Sequence, residues 1–69
     1  DLGEKMDVYR AVDHLDPKLK TIVILRYFED LKLEEIAQAT GANLNTVKAR
    51  LYRALKKMRE ELGYEMSAT

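Results

Sequence analysis

A turn opened by Gly41 separates a short amphipathic segment from a long one, and it limits the fold more than any other feature of the chain. Before the turn, Ile36 and Ala37 lie on one face at helical spacing. After the turn, Asn43 can cap a further helix through its side chain. Gly also takes the left-handed conformation that ends many helices. A short helix, a tight turn and a longer helix predict a helix-turn-helix over about residues 33–62.

Two more helices are predicted before this unit. Met6, Tyr9 and Val12 recur at helical spacing, with Val8 and Leu15 beside them. This pattern predicts a first helix over about residues 3–15 with its apolar side chains, Met6 included, in the core. A second helix is predicted to begin at Pro17. The residue before a proline avoids helical geometry, whereas proline itself suits the first helical position.

The second helix is expected to be capped by Asp16 and to run to about Phe28. It is apolar around most of its circumference, so it should be the most buried element. Gly and Pro number only 3 and 1 in 69 residues, which favours helix throughout. The predicted fold is all-α: one compact four-helix domain over residues 1–69, with an aperiodic tail at 63–69. Because the first residue is Asp1 and not Met, we expect a fragment of a longer protein.

Thiol and imidazole side chains, which serve many catalytic and metal sites, are scarce. The chain has no Cys and one His, His14, which is expected to be a plain surface residue. Neither a thiolate metal site nor an imidazole cluster can form. We therefore expect no enzyme activity, cofactor, metal or small-molecule ligand. The longest strictly apolar run, residues 22–25, is far too short to span a membrane, so the expected location is the cytoplasm.

The net charge is zero, but the charges are unevenly distributed. Residues 1–43 contain six Lys or Arg and nine Asp or Glu, a balance of −3. Residues 44–69 contain six Lys or Arg and three Glu, a balance of +3, and all six cations precede Glu60. The predicted fourth helix is therefore a basic rod on an acidic body, which favours a polyanionic partner.

On this helix the side chains fall into separate sectors at about 100° per residue. The apolar sector, which should face the core, contains Val47, Leu51, Ala54, Leu55, Met58 and Leu62. The opposite sector, here called the outward face, contains Asn45, Lys48, Ala49, Tyr52, Arg53 and Lys56. One flank between them carries Thr46 and Arg50. Because the outward face has no carboxylate before Glu60, it would not repel phosphate.

These residue types suit contact with the major groove of double-stranded DNA. Arg and Lys can bond guanine, Asn can bond adenine, and an aromatic ring or an Ala methyl can touch the thymine methyl. The candidates for base contact are Lys48, Ala49, Tyr52 and Arg53. The candidates for phosphate contact are Asn45, Thr46, Arg50, Lys56 and Lys57. Two alternative interpretations are open. The cationic face could simply be solvated, and Tyr52 could pack against its neighbours rather than contact DNA.

The motifs together resemble region four of bacterial RNA polymerase sigma factors, and the extracytoplasmic-function group in particular. The matching stretches are Leu15-Asp16-Pro17, Ile24 to Glu29, Leu33 to Ala37, Gly41 and Thr46 to Arg59. The resemblance implies binding to the −35 promoter element in transcription initiation, with the polymerase beta-subunit flap and an anti-sigma factor as protein partners. It also implies base contact by Lys48, Ala49, Tyr52 and Arg53. Backbone contact is implied for Arg26, Asn43, Asn45 and Thr46.

Some positions depart from the family pattern. Lys32 replaces the usual Ser or Thr cap of the third helix. Asn43 and Asn45 replace Pro and Gly, and Ala49 replaces a common Ser. These last differences change the expected base preference. Arg26 has a second interpretation, pairing with Glu29, Asp30 or Glu35. Two rival functions stay open: a response-regulator type of helix-turn-helix, and a docking module in which an apolar groove among the first three helices binds protein.

Overall fold

The computed structural model describes residues 2–63, apart from the side chains of residues 2 and 4. Within this range there are four α-helices and no strand, which confirms the prediction of an all-α domain with a helix-turn-helix. The predicted tail lies outside the described residues from position 64 onward. The helices are α1 (Leu2–Asp13), α2 (Pro17–Val23), α3 (Leu33–Thr40) and α4 (Leu44–Leu62).

The register of α1 differs from the prediction. Met6 and Tyr9 were predicted to be core residues, but they are 52% and 54% exposed. At about 100° per residue, a stripe at i, i+3, i+4 and i+7 lies on one face, and Met6 falls opposite to it. The predicted spacing of three residues was right for Val12 and wrong for Met6 and Tyr9, and Val8 and Leu15 belong to the core-facing stripe. The residues that face the core are Val8, Ala11, Val12 and Leu15.

Helix α2 begins as expected at Pro17, but its capping differs. Asp16 occupies the N-cap position without a side-chain hydrogen bond to the helix, so the predicted side-chain cap is wrong. The backbone carbonyl of Asp16 instead accepts from Lys20 N at 2.8 Å. The N–H groups of the first turn of a helix have no carbonyl partner within the helix. Because proline has no N–H, this helix has one fewer such group for a side-chain cap to bind.

After Val23 the chain continues as a π-helical turn, Ile24–Phe28. Glu29 N donates to Ile24 O, five residues back, at 3.0 Å. Each residue of such a turn rotates less than in an α-helix, so the apolar side chains leave their projected positions. Phe28, which was predicted to be buried, is 50% exposed, and its ring meets that of Tyr9 edge-on at 5.7 Å between centroids.

Helix α3 starts without a Ser or Thr cap. Lys32 occupies the N-cap position, and its ammonium group has no acceptor atom to offer to the helix. Glu35 reaches back instead, and its Oε1 accepts from Lys32 N at 2.7 Å, which is half of a capping box. The helix ends at Gly41, whose φ of +74° is the left-handed conformation predicted from the sequence.

The start and end of α4 both confirm the sequence prediction. Asn43 Oδ1 accepts from Thr46 N at 2.8 Å, which caps the helix. At the other end, Gly63 has a φ of +77° and its N–H donates to Arg59 O at 2.8 Å. Local interactions at its two ends therefore set the bounds of the helix that carries the candidate site.

Replacing Asn43 with Ala is expected to lower the free energy of unfolding by about 0.5–2 kcal/mol, because one orphan N–H of α4 loses its acceptor. Urea denaturation followed by circular dichroism measures the change. Asn45→Ala is the matched control, since Asn45 lies in the first turn of the same helix and is exposed. Equal unfolding midpoints for the two variants would contradict the capping role.

Two adjoining apolar clusters hold the helices together. The first joins α1, α2 and the later part of α4. The second joins α2, α3 and the part of α4 from Val47 to Leu55, and it includes Ile22, Ile36, Val47, Leu51 and Leu55. Ala37 packs against this second cluster, so it lies on the same face of α3 as Ile36, as predicted. With its apolar sector buried in both clusters, α4 presents its outward face to solvent.

Candidate nucleic-acid interface

The structure brings the predicted base-contact residues together on one exposed surface. Lys48, Ala49, Tyr52 and Arg53 are all exposed on α4, and Tyr52 is 64% exposed. The alternative in which Tyr52 packs into the protein is therefore wrong. Asn45 and Lys56 are exposed on the same outward face.

One flank of α4 carries the other predicted phosphate contacts. Thr46 and Arg50 are half-buried there, and Lys57 is exposed. Arg50, Arg53 and Lys57 line a cleft of about 600 Å³ between this flank and the start of α2. Lys18 of α2 lines the same cleft. Sequence analysis did not single out Lys18, because periodicity within one helix does not show which neighbouring helix packs beside it.

The predicted site residues at the first turn of α4 are already engaged in local structure. The amide oxygen of Asn43 is the helix cap, so only its NH₂ group remains as a donor for a ligand. Thr46 supplies the capped N–H, and the amides of this turn lie at the positive end of the helix dipole. The phosphate contacts expected of Asn43 and Thr46 stay a prediction.

Arg26 has a structural contact that neither sequence interpretation included. Its Nη1 donates to Leu31 O at 3.0 Å, and no ion pair joins it to an acidic residue of the described part. The bond spans the turn after the π-helical segment, where Asp30 has a φ of +58°. Pairing with Glu29, Asp30 or Glu35 is therefore wrong. The predicted phosphate contact stays a prediction, since a guanidinium has further donors.

Acidic side chains do not interrupt the outward face. The first carboxylates of α4 are Glu60 and Glu61, at its C-terminal end. Glu61 is bound by His14, whose Nδ1 lies 2.9 Å from Oε1 and 3.0 Å from Oε2. His14 is an exposed surface residue as expected, but its contact with α4 was not predicted. The face from Asn45 to Lys56 therefore carries only neutral and positive side chains.

The short helix, left-handed Gly turn and long basic helix define a DNA-binding helix-turn-helix domain. The family model for Sigma-70, region 4 matches residues 5–58. The chain belongs to the sigma-70 region 4 family, as its motifs predicted.

Curated relatives agree with this membership. The chain is 64% identical over 59 residues to the RNA polymerase sigma factor SigV of Bacillus subtilis, covering 86% of this chain and 36% of that protein. It is 46% identical over 57 residues to the RNA polymerase sigma-E factor of Streptomyces coelicolor, covering 83% and 30%. It is 35% identical over 63 residues to the ECF RNA polymerase sigma factor SigE of Mycolicibacterium smegmatis, covering 91% and 24%. The chain thus spans about a third or less of the length of these relatives. No solved structure matches significantly.

Proposed function

We propose that this chain binds the −35 promoter element as part of a sigma factor that directs transcription initiation by bacterial RNA polymerase. The observation that carries the proposal is the outward face of α4, which is exposed, cationic and free of carboxylates up to Glu60. Family membership and the names of the relatives support the same function. They do not favour the response-regulator alternative. Such a protein would act in the cytoplasm at the nucleoid.

The roles of the side chains follow from the shape of the groove. The major groove is about 12 Å wide, which matches the roughly 10–12 Å diameter of a helix with its side chains. The stretch of the outward face between Asn45 and Lys56 would then meet base edges, and the two ends of this face and the flank of α4 would meet the phosphates. We assign base contact to Lys48, Ala49, Tyr52 and Arg53. We assign phosphate contact to Arg26, Asn43, Asn45, Thr46, Arg50, Lys56 and Lys57.

Binding of the chain to duplex DNA should weaken steeply with salt, since each neutralised phosphate contributes a slope of about −0.9 to log K against log salt concentration. Fluorescence anisotropy with a labelled duplex at several salt concentrations measures this slope. A chain that only docks protein would show no salt-dependent binding to any duplex, and that result would contradict the proposal.

An apolar groove on another side of the molecule supports a second function, protein docking. The groove has a volume of about 220 Å³. It lies between α1, the segment from Val23 to Phe28 and α4. The prediction of a groove among the first three helices was therefore wrong in part, since α4 lines it and α3 does not. None of the predicted DNA-contact residues lines it. Its lining residues are Val8, Val12, Val23, Tyr27, Phe28, Leu55 and Met58.

The polymerase beta flap is the occupant that we propose for this groove, and an anti-sigma factor would compete for it. Exposed aromatic side chains beside an apolar groove are typical of a protein interface. Phe28→Ala is expected to weaken binding to purified core RNA polymerase while leaving duplex binding unchanged. Tyr52→Ala should have the opposite pattern. Unchanged polymerase affinity in Phe28→Ala would refute the docking role of this groove.

A further inference from the structure

A basic cleft separates the start of α2 from one flank of α4. Its volume is about 600 Å³, and four cations line it against one carboxylate, that of Asp16. Two of the cations, Lys18 and Arg50, also line a second depression of about 410 Å³ that reaches Gly41 in the helix-turn-helix turn. The two depressions thus form one basic track. The cations along it are Lys18, Arg50, Arg53 and Lys57.

These four cations outnumber the one carboxylate of the cleft and form no ion pair with it. None of them forms an ion pair with another described residue, and Asp16 forms none with them. Lys20, two positions after Lys18 on the same helix, is different because its Nζ lies 3.2 Å from Asp13 Oδ1. Like charges gathered in one cleft repel each other, and the attraction of each cation to a bound anion would offset that repulsion. The cleft is therefore suited to a polyanion.

The angular positions of the side chains on α4 indicate which part of a DNA duplex would face the cleft. Arg50, Arg53 and Lys57 fall within a sector of about 60°, since they are three and four residues apart. Lys48 and Tyr52 lie on the far side of the outward face. A helix that fills the major groove has phosphates along both of its flanks. The cleft would then face the phosphate backbone of one DNA strand, and the start of α2 would lie next to that backbone.

We propose that Lys18 binds a DNA phosphate together with Arg50 and Lys57, so that the DNA interface extends from α4 onto the start of α2. The inference rests on the proposed function, because it presupposes that α4 occupies the groove. Lys18 is a positioning residue: a phosphate contact fixes the register of the helix on the duplex and carries no sequence information.

The test compares Lys18→Ala with Lys20→Ala in salt titrations of the 69-residue chain, on the duplex that it prefers and on an unrelated duplex. Loss of one phosphate contact should reduce the magnitude of the salt slope by about 0.9. The affinity deficit of Lys18→Ala should then shrink about 3.5-fold between 50 and 200 mM salt. The deficit should be the same on both duplexes. Lys20→Ala should keep the unmodified slope, and Lys18→Arg should restore it.

The outcomes separate this inference from the function on which it rests. If the unmodified chain shows no salt-dependent binding, both fail. If the unmodified chain has a steep slope that Lys18→Ala leaves unchanged, the inference alone is wrong, and the cleft would be open to an acidic protein surface instead. A deficit confined to the preferred duplex would make Lys18 a base contact and would also overturn the phosphate role.

Discussion

Ile36→Ala is expected to lower the free energy of unfolding by about 2–5 kcal/mol, the largest effect of any single substitution that we predict. Ile36 is fully buried in the cluster that joins α3 to α4, and Val47, also fully buried, belongs to the same cluster. Truncation removes apolar contacts and leaves a cavity between the two helices of the helix-turn-helix. A domain of this size has a small core and a correspondingly small stability, so much of it would be lost.

Urea denaturation monitored by circular dichroism measures this change, with two controls. Ile36→Val keeps most of the side chain and should cost only about 0.5–1.5 kcal/mol. Gln38→Ala changes an exposed position of the same helix and should have an effect within about 0.5 kcal/mol. If Ile36→Ala unfolded at the same urea concentration as Gln38→Ala, the packing of α3 on α4 described above would be wrong.

Arg53→Ala is expected to reduce binding to the preferred duplex by about 1–3 kcal/mol while leaving the fold intact. The side chain is exposed on α4 and belongs to neither apolar cluster, so its removal should not change the circular dichroism spectrum. A guanidinium that bonds a guanine edge discriminates between base pairs. The variant should therefore also lose preference for its best sequence over others.

Lys56→Ala is the matched control for Arg53→Ala. Lys56 is another exposed cation of the outward face, but it is assigned to phosphate. Its loss should weaken binding to all duplexes by a similar factor and leave the sequence preference unchanged. Competition titrations with a preferred and an unrelated duplex compare the two variants. If Arg53→Ala behaved like Lys56→Ala, base contact by Arg53 would be contradicted. Arg53 would then contact the DNA phosphate backbone, as proposed for Arg50 and Lys57 in the basic cleft.

Helix α4 was predictable from the sequence in nearly every respect. Its Asn43 cap, its Gly63 end and the rotation of its apolar sector all depend on interactions within a few residues of each other, which local patterns record. The exposure of Lys48 and Tyr52 follows directly from that rotation.

The errors arose where the structure depends on contacts beyond one helix or on a non-standard turn. The burial of α1 was wrong for Met6 because two apolar spacings were available and packing selects only one of them. Phe28 was misplaced because nothing in its local sequence indicates a π-helical turn. Arg26 bonds Leu31 O across a turn whose geometry the sequence does not reveal. Lys18 lies beside α4 only through the packing of α2.

The central claim is that the outward face of α4 recognises one promoter sequence, and selection of bound duplexes from a random pool tests it most directly. The chain is incubated at low salt with the pool, and bound duplexes are amplified and sequenced over several rounds. The account predicts enrichment of one short motif, and it predicts that Arg53→Ala weakens that enrichment at particular positions. A pool that stays random after repeated rounds, although the chain is folded, would contradict sequence-specific recognition by this helix.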